Sequence, residues 1–116
     1  MVDEASKLTG NVGTVCWMAP EMFQNLSYTP KVDVYSFAIV LYELVVREQP
    51  FAGENSFSLP VQIVKGIRPK LPKSISKKWK KLITLCWHQK PSKRPAFETI
   101  IEALEEIKSE SPVPNS

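Results

Sequence analysis

The sequence predicts a mainly α-helical fold, and three observations carry that expectation. Thr29-Pro30 and Ser58 with Pro60 each place a capping hydroxyl just ahead of a proline, the signature of a helix start. Apolar residues recur at helical spacing after both signals and in two later stretches. No segment reads convincingly as a strand.

The elements follow in order. Residues 1–18 read as a loop: they are small and polar, carry Gly10 and Gly13, and show no sustained periodicity. Pro20 opens a short helix to about Gln24. A connector, 25–30, leads to a long helix from Pro30 to about Arg47. Between Val34 and Val46 that helix has almost no polar face, which predicts burial on all sides. Pro50 and Gly53 mark the next loop. A helix carrying Leu59, Val61, Ile63 and Val64 then ends near Gly66. Pro69 and Pro72 make the following stretch irregular. Trp79, Leu82, Ile83, Leu85, Cys86 and Trp87 place another helix between about Ser76 and His88, and the loop Lys90–Pro95 breaks it. The last helix covers about Phe97 to Lys108, with Phe97, Ile100, Ile101, Leu104 and Ile107 expected on one face. Residues 109–116 are polar with two prolines and read as a disordered tail, leaving 1–108 as the folded part.

Composition narrows the function. The chain has 116 residues, 43% of them hydrophobic and 23% charged, which suits one globular domain or a piece of one. A net charge of +3 is only mildly basic, and the lysine run from Lys70 to Lys81 reads as a solvated helix face, so no nucleic-acid partner is expected. Cys16 and Cys86 fit no CxxC metal pattern and read as reduced thiols. The acidic start Met1-Val2-Asp3-Glu4 lacks the apolar core of a secretory signal, and the longest apolar run is too short and too broken to span a bilayer. A cytoplasmic location and no membrane contact from this segment are the expectations.

The most informative stretch is Gly13-Thr14-Val15-Cys16-Trp17-Met18-Ala19-Pro20-Glu21. It resembles the substrate-facing end of the activation segment in eukaryotic protein kinases, specifically serine/threonine kinases of the tyrosine-kinase-like group. Asp33-Val34-Tyr35-Ser36-Phe37 is similar to the start of that family's helix F, and Cys86-Trp87 with Lys93-Arg94-Pro95 to its closing helices H and I. The resemblance covers nearly the whole chain. It implies the C-terminal part of the kinase large lobe (helices EF, F, G, H and I), with the small lobe and catalytic loop absent. Ala38 departs from the glycine usual in the family and keeps the position small.

The resemblance also implies roles. Glu21 and Arg94 would form an ion pair tying the activation segment to the last helices; without it, Arg94 reads as one solvated member of the Lys90, Lys93, Arg94 cluster. Gly13, Thr14 and Trp17 would line the substrate-facing loop, with Thr14 and the absence of a proline at Val15-Cys16 pointing to serine/threonine acceptors. On its own, Thr14 is an ordinary loop threonine, and Trp17, Trp79 and Trp87 all look like core anchors. Asp33 would anchor the catalytic loop in a parent domain; within this chain it suits the first turn of a helix, where a carboxylate favours the helix dipole. Ser6 and Thr9 lie where activation-loop phosphorylation is typical, and unmodified hydroxyls are the plain alternative.

Phosphoryl transfer needs carboxylates for Mg²⁺, an aspartate near the attacking hydroxyl and a lysine on the phosphates. The chain has two aspartates, Asp3 and Asp33, neither in Asp-Phe-Gly, and its single histidine, His88, opens no His-Arg-Asp. Its four glycines make no GxGxxG. No catalytic residue, metal ligand or cofactor is therefore expected in this chain, and ATP and Mg²⁺ are implied for a parent domain whose ATP-binding parts lie upstream of Met1. Protein substrates or other kinases are the expected partners. The alternative is a non-catalytic module that docks partners through the activation segment and Ser58–Gly66.

Overall fold

The computed structural model describes residues 15–24 and 27–110. Five α-helices occur among them, with no strand: α1 (Pro20–Phe23), α2 (Lys31–Val46), α3 (Leu59–Val64), α4 (Lys77–Cys86) and α5 (Phe97–Glu110), with a 3-10 turn at Pro91–Lys93 between the last two. α2 packs on α4 and on the 3-10 turn, α1 on α3, and α4 on α5. None of these helices is long and apolar enough to cross a membrane.

Local chemistry sets the ends of each helix. α1 follows Ala19, which is extended, and Pro20 supplies the preset φ of a first helical turn. α2 starts one residue later than the cap signal implies. Pro30 already has helical angles but precedes the helix, and the Thr29 hydroxyl accepts the Lys31 N–H at 3.2 Å. At its other end Arg47 turns left-handed, φ 67°, and its N–H closes on the Glu43 carbonyl at 3.0 Å. α3 ends in a 6→1 bond from the Ile67 N–H to the Gln62 carbonyl (2.9 Å) around Gly66, whose φ of 107° suits glycine. α4 is capped by Ser76, whose hydroxyl accepts from the Trp79 N–H at 3.3 Å.

The core forms around one side of α2. Val34, Tyr35, Ala38, Ile39, Leu41 and Tyr42 are buried there with Leu59 and Ile63 of α3, Leu82, Ile83 and Cys86 of α4, and Ile100 and Ile107 of α5. The Tyr42 and Trp87 rings lie 6.3 Å apart, and the Tyr42 hydroxyl donates to the Lys70 carbonyl at 3.2 Å. Ala38 is fully buried in this core.

Two helix faces depart from the pattern in the sequence. α2 is not buried all round: Leu44 is 66% exposed and Val40 only half-buried. α4 and the 3-10 turn pack on α2 without covering Leu44, so apolarity alone overstated its burial. On α5 only Ile100 and Ile107 of the five expected residues are buried; Phe97 and Ile101 are exposed. A 14-residue helix turns 97 and 101 away from the line through 100 and 107, and Phe97 instead meets Phe37 edge-on at 5.6 Å. α5 also continues through Ser109 and Glu110, where the Lys78 ammonium reaches Glu106 and Glu110. The rest of the expected tail, 111–116, lies outside the described residues.

Candidate functional site

The site begins at Arg94, which is 1% exposed although it lies in a loop rich in lysine. The 3-10 turn delivers it: Lys93 and Arg94 N–H groups bond back to the Lys90 and Pro91 carbonyls, and the chain then extends at Arg94. That geometry points the guanidinium inward against Glu21, which is 7% exposed. Arg94 Nη1 donates to Glu21 Oε2 at 2.7 Å and Nη2 to Oε1 at 2.9 Å, the two parallel bonds of a guanidinium–carboxylate fork. Nε donates to the His88 carbonyl at 2.8 Å and Nη1 also to the Lys31 carbonyl at 3.1 Å. The Lys31 ammonium returns a bond to the Arg94 carbonyl. One side chain thus ties α1, the start of α2 and the end of α4 together. Burial pushes the Glu21 carboxyl upward, but hydrogen bonds from Arg94 and from its own backbone, with the Arg94 charge, hold it below its usual value.

Tyr35 lies at the centre of this arrangement. Arg94 sits over its ring at 5.3 Å and Arg68 at 5.0 Å, a distance at which a cation is attracted to the ring face. Burial raises the Tyr35 phenol to about 12, the nearby arginines acting in the opposite direction. Its hydroxyl is buried and has no hydrogen-bond partner among the described residues. Arg68 makes a second junction. Nε donates to the Trp87 carbonyl at 2.9 Å, Nη1 to the Ile67 and Ile63 carbonyls at 2.9 and 3.2 Å, and Nη2 to Gln89 Oε1 at 2.6 Å. It joins the end of α3 to the end of α4.

Trp17 is half-buried in a turn closed by the Met18 N–H on the Val15 carbonyl at 3.1 Å. The Ser36 hydroxyl of α2 donates to the Trp17 carbonyl at 2.6 Å. Asp33 is exposed in the first turn of α2, at the edge of a largely apolar cavity of about 760 Å³ between Pro30 and Phe97. Gly13, Thr14, Ser6 and Thr9 lie outside the described residues. His88 is a helix-end residue whose Nδ1 accepts the Lys90 N–H at 3.0 Å. Cys16 and Cys86 are buried thiols, each raised to about 12 by burial. Among the described residues there is no group of three or more His, Cys, Asp and Glu side chains that could hold a metal ion.

The sequence model of the protein tyrosine and serine/threonine kinase family matches residues 2–104. The chain belongs to that kinase family. Among curated relatives, it is 46% identical over 106 residues to a LIM domain-containing serine/threonine-protein kinase of Dictyostelium discoideum, a match spanning 91% of this chain and 11% of that protein. It is 45% identical over 100 residues to RGS domain-containing serine/threonine-protein kinase A of the same organism, covering 86% of the chain and 9% of the relative. It is 40% identical over 108 residues to mitogen-activated protein kinase kinase kinase 7 of Drosophila melanogaster, covering 92% and 16%. The chain therefore spans a small part of each of these kinases.

Within this kinase-family chain, Glu21 and Arg94 meet, while Asp33 and Trp17 stand apart from that pair. Three residues in the network carried no signal that sequence reading used. Ser36 lay inside the quoted helix F motif without a role. Lys31, in the first turn of α2, belongs to no motif in the sequence. Arg68, between Gly66-Ile67 and Pro69, sits where prolines break periodicity, and only its position beside the ends of α3 and α4 shows what it holds.

Proposed function

We propose that this chain is the stretch from activation segment to helix I of the large lobe of a serine/threonine protein kinase in the tyrosine-kinase-like group. The complete protein would transfer the γ-phosphate of ATP to serine or threonine hydroxyls of protein substrates, in the cytoplasm. The observation that carries this reading is the buried Glu21–Arg94 fork, which joins positions 73 residues apart at the places the kinase resemblance assigns. The relatives' names as serine/threonine-protein kinases support the acceptor class.

The residues of this chain would hold and shape the acceptor loop. The fork fixes the exit of the Val15–Glu21 segment, and the buried Cys16 and Ala19 side chains root its middle. ATP and Mg²⁺ would be held by residues outside this chain, so the chain alone should be inactive. The test is an ATP-dependent phosphorylation assay on the purified 116-residue chain, with a catalytically dead kinase as baseline. Turnover above that baseline would overturn the reading.

One observation favours a second reading, a docking module built on α3. Phe57 is 92% exposed, and neighbouring Val61 is also exposed. Asn55 accepts the Phe57 N–H at 2.7 Å, which holds the turn that presents this ring. Loss of binding to a kinase partner on Phe57→Ser, with the fold intact, would favour it; unchanged binding would remove it.

A further inference from the structure

We propose that Ser36 is a positioning residue for the acceptor-facing segment, setting the path of the backbone at Trp17. Its functional meaning rests on the kinase reading above; its geometry does not.

The segment 15–21 is held at three kinds of point. Val15, Cys16 and Ala19 are buried in the core. Glu21 is fixed by Arg94. Between them the backbone turns through Trp17 and Met18, and there the Ser36 hydroxyl bonds the Trp17 carbonyl at 2.6 Å, across 19 residues of sequence. A short O–H···O bond to a half-buried carbonyl is attractive, and removing its donor leaves that carbonyl without this protein partner.

Ser36 is well suited to this task. It lies on α2 directly after Tyr35, so the helix turn that places Tyr35 beside the two guanidiniums also presents Ser36 to the segment. The same rigid helix therefore governs the segment's middle through Ser36 and borders its exit through Lys31, whose carbonyl accepts from Arg94. A side chain pinned to a long packed helix transmits position better than one on a loop. Under the kinase reading, the substrate residue beside the accepting hydroxyl meets a loop whose shape depends on this bond.

Residue-resolved amide exchange and carbonyl ¹³C shifts on the full 116-residue chain test the proposal. In Ser36→Ala the Met18 amide, bonded to the Val15 carbonyl, should exchange about fivefold faster, the factor one net hydrogen bond supplies. The Trp17 carbonyl resonance should shift, and the Trp87 amide at the end of α4 should keep its wild-type rate. Ser36→Thr keeps the hydroxyl and should restore both signals. An unchanged Met18 rate, or equal acceleration at Met18 and Trp87, overturns the proposal. Should Ser36→Ala lose its fold, Ser36→Thr decides: wild-type Met18 protection and Trp17 shift support the bond, and their loss overturns it. Exchange requires no catalysis, so this result and the ATP-turnover test fail independently.

Discussion

Replacing Arg94 with alanine should remove a large part of the stability of this fold. The guanidinium makes two bonds to Glu21 and one each to the His88 and Lys31 carbonyls. Alanine strands a carboxylate that is 7% exposed and leaves both carbonyls without their charged donor. Breaking one partner of a buried pair costs roughly 3–5 kcal/mol, against a whole-domain stability of roughly 5–15 kcal/mol. Urea unfolding followed by tryptophan fluorescence and far-UV circular dichroism reads the loss. Adding Glu21→Gln should recover part of it, since a neutral amide needs no counter-ion. The pH dependence follows from the same pair. The Glu21 carboxyl is held below its usual 4.5 in the fold, so the pair's contribution is complete above that value and is lost as pH falls through the folded one. A loss below about 1 kcal/mol in Arg94→Ala, the level of an ordinary surface ion pair, would refute the claim that this fork organises the fold.

Other outcomes follow from neighbouring residues. Tyr35→Phe should leave stability unchanged or raise it by about 1 kcal/mol, because the lost hydroxyl is buried without a partner; a clear drop in the thermal midpoint would show that the hydroxyl is satisfied. Lys78→Ala should not measurably shift the thermal midpoint, since Lys78, Glu106 and Glu110 are all exposed and water screens their attraction. Leu44→Glu should keep the helical spectrum and the thermal midpoint, because Leu44 is 66% exposed; a clear drop in the midpoint would show that its side chain is packed. Cys16 and Cys86 should resist alkylation in the folded chain and react in denaturant, as burial keeps both protonated up to about 12.

Much of this molecule was legible in the sequence because the signals are local. A proline marks a helix start through its preset φ, although the Ser58 hydroxyl makes no cap bond to α3, and Gly66 marks a helix end because it tolerates φ 107°. Helical periodicity placed the helices to within a few residues. The kinase-like order of Trp17–Glu21, Asp33–Phe37 and Lys93–Pro95 supplied what periodicity could not, the pairing of Glu21 with Arg94. Tertiary packing alone decided the rest. Which side of α2 stays wet depends on where α3, α4 and α5 come to lie, and the apolar residues on its two sides look alike in sequence. Ser36 reaches the Trp17 carbonyl and Arg68, among its several acceptors, the Trp87 carbonyl, each 19 residues away; every residue carries a carbonyl, so nothing in the chain's spelling distinguishes the ones they reach.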